Sequence, residues 1–193
     1  MNVLARATAL IIDPASEWPV IEQQSDDAAY LLSRYVAPLA LIPALCGFVG
    51  ACVIGVVGPR GTVARAAIFD GLFGAIFGYV ATFATVLLVA LFANLLATRF
   101  GGRRDFAAAL RLAAYSFTPL WLVGICLLLP GLYFIMLTGL YSAYILAKGL
   151  PPMMKSPRKA SPSYAAAIVV FAAVLIALAA AAQRGLFGQA AVH

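Results

Sequence analysis

Charge is scarce in this chain: only 10% of its 193 residues are Asp, Glu, Lys or Arg, while 64% are hydrophobic. A soluble domain of this length needs far more charge to keep its surface wet. Histidine is scarcer still, with His193 the sole example, so neither a His-activated nucleophile nor a His metal site has residues to build on. Carboxylates number seven, and five of them, Asp13, Glu17, Glu22, Asp26 and Asp27, lie in the first 34 residues. None falls deep inside an apolar stretch, which leaves no material for an intramembrane aspartyl dyad or proton relay. The three cysteines, Cys46, Cys52 and Cys126, lack metal-ligand spacing and read as small residues within apolar stretches. There is no P-loop, no G-x-S-x-G and no C-x-x-C. The residues therefore offer no catalytic, cofactor-binding or metal-binding site, and the expectation is that the chain is not an enzyme.

What is present is apolar length. The mean hydropathy is +1.00. Charge-free runs of 25, 28, 36 and 24 residues separate Arg34 from Arg60, Asp70 from Arg99, Arg111 from Lys148 and Lys159 from Arg184. A helix rising about 1.5 Å per residue needs roughly 20 apolar residues to cross a bilayer core about 30 Å thick. Three runs fit one crossing each. The longest holds Pro130 and Gly131 at its middle, a helix-stop and turn signal. It is flanked by Arg99, Arg103, Arg104 and Arg111 on one side and by Lys148, Lys155, Arg158 and Lys159 on the other. Both basic flanks belong on the cytoplasmic side, which requires an even number of crossings between them.

The expected fold is thus an all-α polytopic membrane bundle of about five helices, at 35–57, 68–98, 107–129, 131–147 and 164–182. Arg111 lies inside the third helix near its inner end, where its side chain can snorkel. With the N-terminus cytoplasmic and the C-terminus outside, ten Lys/Arg lie inside and three outside. The net charge of +6 is explained by this topology, with no nucleic-acid partner. Residues 1–34 form a cytoplasmic or interfacial segment. The run from Ala7 to Ile12 lacks the cleavage pattern of a signal peptide. Asp13-Pro14 and Ser16-Glu17 carry helix-start chemistry, and Trp18, Val20 and Ile21 suit the headgroup layer. The basic loop 148–163 contains Pro151, Pro152, Pro157 and Pro162 and should be extended, with no helix across its middle. Residues 184–193 form an external tail.

Three constellations could carry function. Gly71, Gly74, Gly78 and Ala81, with Ala67 and Thr85, recur at steps of three and four along the second span. Such a stripe of small residues admits a neighbouring helix closely, either within the bundle or across a homodimer. Tyr115, Ser116 and Pro119 in the third span, and Tyr141, Ser142 and Tyr144 in the fourth, hold most of the membrane-embedded polarity. Folded as a hairpin, the two groups reach the same depth and form either a polar groove or interhelical glue. Pro119 also frees the carbonyl of Tyr115, which a nearby hydroxyl can serve. Lys148, Lys155, Arg158 and Lys159 suit contact with anionic lipid, or serve as a plain positive-inside anchor.

The stretches YVAPLALIPALCGFVG at 35–50, AAYSFTPLWLVGICLLLPGL at 113–132, LYSAYILAKGLPPMMKSPRKA at 140–160 and DPASEWPVIEQQ at 13–24 resemble the Yip-one membrane-domain family, the Ypt/Rab-GTPase-interacting proteins, in its bacterial branch. The resemblance implies a five-helix domain with a cytoplasmic N-terminus and an outward C-terminus. In eukaryotic members a long N-terminal region links the domain to Rab GTPases and vesicle traffic, whereas this chain has about thirty residues there. The functional expectation is a non-enzymatic scaffold or adaptor of a bacterial inner membrane. Its partners would be membrane lipids, an unidentified membrane protein or a second copy of itself. The rival expectation is a transporter, channel or lipid scramblase working through the polar hairpin.

Overall fold

A computed structural model describes residues 3–24, 27–57, 63–128 and 140–187. Apart from a two-residue antiparallel ribbon, β1 (Val56–Val57) with β2 (Val63–Ala64), the regular structure is helical. Two short helices come first, α1 (Val3–Ile12) and α2 (Pro14–Glu22). The Asp13 carboxylate accepts from the amides of Ala15 and Ser16 at 3.2 and 3.3 Å, and Pro14 takes a first-turn position that has no amide bond to lose.

The helix α3 (Ala28–Ile54) includes two wider π-helical stretches, Leu32–Val36 and Gly50–Ile54. The helix α4 (Ile68–Leu96) tightens into a 3-10 turn ending at Phe100, where Gly101 adopts φ 70°. The amide of Gly102 returns to the Ala97 carbonyl at 2.8 Å. The next apolar stretch is broken into α5 (Phe106–Ser116), α6 (Thr118–Val123) and a 3-10 turn to Leu128. Asp105 caps α5 through the Ala108 amide at 3.0 Å. The last two helices are α7 (Leu140–Met154) and α8 (Ser161–Phe187).

Among the described residues, four helical stretches are long and apolar enough to cross a membrane: Ala28–Ile54, Ile68–Phe100, Phe106–Leu128 and Ser161–Leu186. The turn expected at Pro130 and Gly131, and the first part of the span expected at 131–147, lie outside the described residues. So does most of the tail 184–193. The broken stretch is the axis of the bundle: 61% of its apolar window is buried, against 17% for α3 and for α8, which turn most of their surface outward. α4 packs on α3, α5 and α8, while α7 packs on α2, α5 and α8.

Two expectations are corrected. Trp18 and Ile21 do not offer their side chains to a headgroup layer. Both are completely buried, and only Val20 of the three is exposed. α2 lies across one end of the bundle with Trp18 inserted against α5 and α7, its indole N–H donating to the Ile145 carbonyl at 3.1 Å. Gly149 makes the room, since an added Cβ there would meet the Trp18 ring at 2.5 Å and a Leu112 methyl at 2.6 Å. Furthermore, α7 does not stop at the start of the Pro-rich loop. It continues through Pro151 and Pro152 to Met154, because Leu150, Met153 and Met154 are buried and their packing outweighs the two lost amide bonds. Lys155, at φ 54°, is the left-handed residue that ends it. Of the expected loop, only residues 155–160 are non-helical.

The packing around Gly149 sets a test. Gly149→Ala gains up to about 1 kcal/mol in helix propensity, but overpacking a rigid indole costs about 1–3 kcal/mol. Thermal unfolding in detergent is expected to show a net loss, with a lower midpoint than the parent.

Candidate functional site

The six residues expected to share a polar groove divide three ways. Tyr115 enters a buried aromatic cluster. It lies edge-on to Tyr35 at 4.5 Å and to Trp18 at 6.4 Å between ring centroids. Pro119 is buried at the break between α5 and α6. There Thr118 donates to the Tyr115 carbonyl at 2.7 Å, the acceptor orphaned by the missing Pro119 amide. Because the Thr118 hydroxyl has one hydrogen, the 2.7 Å contact with Tyr35 must be donated by the Tyr35 hydroxyl. A relay from Tyr35 to Thr118 to the Tyr115 carbonyl thus repairs the broken helix from α3, inside the bundle.

Tyr141 and Tyr144 stack at 5.5 Å on another face. The Tyr141 hydroxyl donates to the Ile11 carbonyl at the end of α1, at 2.8 Å. Tyr144 is exposed and lies under the Lys148 ammonium at 5.4 Å. Only Ser116 and Ser142 face a common space, a largely apolar cavity of about 270 Å³ between α4, α5, α7 and α8.

Of the small-residue stripe, Gly71 faces Phe48 and Cys52 of α3, and Gly74 faces Gln183 of α8. The Gln183 amide donates to the Gly74 carbonyl at 3.0 Å. Gly78 has looser surroundings, with the same Gln183 at 3.7 Å from an added Cβ. Ala81 lines a smaller crevice with Thr85 and Trp121. The described stripe thus meets helices of its own chain. Toward the ribbon end it borders a wide cleft of about 730 Å³ between α3, α4 and α8, which includes Asp70 and Arg184.

The opposite end of the bundle is the basic one. The chain is drawn together there by Arg103 N–H to the Met154 carbonyl at 2.8 Å, by Arg111 to the Gln24 carbonyl, and by ion pairs between Arg6 and Glu17 and between Lys155 and Glu22. Arg111 therefore finds a backbone acceptor in the N-terminal segment, a partner that sequence spacing did not show. Glu17, Glu22 and Asp105 are each occupied by an intrachain pair or a helix cap. Arg34, Arg99, Arg103, Arg104, Lys148, Arg158 and Lys159 remain exposed. Among the described residues, no three His, Cys, Asp or Glu side chains come together as a metal site.

A bundle of this kind, with long apolar helices and a charged end, defines an integral, multi-pass helical membrane protein. The family model of the Yip1 domain matches residues 8–181, and the chain belongs to the Yip1 family. It is similar to the inner membrane protein YohC of Escherichia coli strain K12, at 24% identity over 177 residues that cover 90% of this chain and 91% of the relative. The YohC protein of Escherichia coli O6:H1 matches to the same extent. No solved structure matches.

The relay at the helix break is testable. Thr118→Val keeps the shape but leaves the Tyr35 hydroxyl and the Tyr115 carbonyl without their partner in a low-dielectric interior, a loss of about 1–3 kcal/mol. Thermal unfolding in detergent should place Thr118→Val clearly below the parent and Thr118→Ser close to it.

Proposed function

We propose that this chain is a non-enzymatic scaffold of a bacterial inner membrane, with its basic end in the cytoplasm as a docking face for anionic lipid headgroups and for acidic surfaces of other membrane proteins. The observation that carries the reading is the fate of the charges at that end. Of the nearby carboxylates, Glu17, Glu22 and Asp105 are held in intrachain pairs and caps and Asp27 is exposed, while five cations, Arg99, Arg103, Arg104, Arg158 and Lys159, project outward. Each basic residue near an anionic leaflet contributes about 1 kcal/mol, enough in combination to hold a lipid layer or an acidic partner. The inner-membrane placement is supported by the name of the Escherichia coli relative.

Five crossings, with the N-terminus inside and the C-terminus outside, complete the reading. The basic residues gather at one end in accord with the positive-inside rule, and α7 covers the described part of the expected fourth span. The short N-terminal segment is folded onto the bundle rather than held out as an arm. Partner recognition is therefore assigned to the composite basic face and not to a free tail.

Photoreactive residues at Arg103 and Arg158, activated in native membranes and followed by mass spectrometry, test this. The expected result is a reproducible adduct with anionic lipid or with a particular membrane protein, lost when Arg99, Arg104 and Lys159 are changed to Glu. Repeated recovery of unmodified chain, or adducts indifferent to those changes, would overturn the proposal.

A further inference from the structure

The cavity shared by Ser116 and Ser142 has a use that the docking reading does not touch. A serine or threonine inside a helix ordinarily gives its hydroxyl hydrogen to the carbonyl one turn back. Ser33, Thr82 and Thr85 do so here, to Ala29, Gly78 and Ala81. Ser116 does not: its side chain is 5% exposed, and its Oγ is buried with no hydrogen-bond partner among the described residues. The Oγ of Ser142 is in the same condition. Both line the cavity of about 270 Å³, whose other described walls, among them Val89, Phe117, Leu146 and Ala172, are apolar.

Depth narrows the occupant. Ser116 is the eleventh residue of α5, about 15 Å along the helix from its start at the basic end. Arg111, which bonds to the N-terminal segment, marks the polar layer along the same helix, and Ser116 lies five residues, about 7.5 Å of helix rise, beyond it. An unpaired hydroxyl in hydrocarbon is costly, so two of them facing one space call for an acceptor. Among the described residues no charged side chain lines the cavity, and an ionic group without a counter-charge at this depth would be expelled. A phospholipid keeps its headgroup in the interfacial layer outside the hydrocarbon core, so its ester carbonyls lie too shallow. A water would have little besides the two hydroxyls, at the lower limit of what buried water requires.

We infer that this cavity binds an uncharged lipid without a polar headgroup, whose carbonyl oxygen accepts hydrogen bonds from Ser116 and Ser142 while its hydrocarbon part lies along Phe117, Leu146 and the α8 face. The site and the basic docking face use different residues, and either can fail without the other.

The test compares two probes that differ only in the carbonyl, 2-tridecanone and tridecane, added to the purified full-length chain in nanodiscs while its thermal unfolding is followed. The ketone is expected to raise the midpoint saturably and the alkane to do less. In the Ser116→Ala, Ser142→Ala double variant the two probes should act alike, with the ketone dissociation constant raised roughly tenfold or more, the loss expected for one or two neutral hydrogen bonds. The variant itself should fold at least as well as the parent, because it only removes unpaired hydroxyls. Equal responses of the parent to ketone and alkane, no response to either, or a ketone preference that survives in the double variant would each overturn the site.

Discussion

Everything in this bundle hangs on one demand of the membrane interior, that each backbone carbonyl find a donor. The axis helix contains Pro119, which cannot supply one to Tyr115. The repair comes from two hydroxyls, one on the residue next door and one on α3. The repair then fixes much else. It sets Tyr35 against Tyr115 and ties α3 to the axis at the depth of the break. It also leaves Trp18 an aromatic edge to pack upon, so a local defect becomes the point where three parts of the sequence register against one another.

The N-terminal segment shows the same economy. Trp18 enters a slot that exists because residue 149 has no side chain, and the Arg6–Glu17 and Lys155–Glu22 pairs hold the surrounding helices in place. The exposed Lys155–Glu22 pair contributes little on its own, whereas Arg6–Glu17 is largely buried; the buried indole fixes the position and the charges orient what surrounds it. The result places residues far apart in the chain in one platform, which includes the end of α7 and the turn after α4.

Much of this was readable from the residues, and the part that was not has a common cause. Charge-free lengths identify apolar helices because hydrocarbon thickness is a fixed ruler. The proline-induced orphan at Tyr115 is local, so its need for a hydroxyl could be read from Thr118 standing beside it. Trp18 was misplaced because its amphipathic ring suits an interface and a core slot equally; the choice depends on Gly149, 131 positions away. The passage of α7 through Pro151 and Pro152 was missed for a related reason. Proline rules count two lost hydrogen bonds, whereas the burial of Leu150, Met153 and Met154 is decided by helices that local spacing cannot name. The polar hairpin failed to assemble as one groove because equal depth does not mean equal facing: Tyr115 and Ser116 are adjacent and point to different neighbours.

The distribution of empty space gives the fold a mechanical direction. The aromatic and methionine packing is gathered toward the basic end, while the cleft of about 730 Å³ lies toward the ribbon end, where Gln183 to Gly74 is a polar tie between α8 and α4. Close-packed interiors resist compression, and voids do not. Among the described residues the basic end is therefore the stiffer one, and a load spread evenly along the bundle would be taken up first where α3, α4 and α8 stand apart.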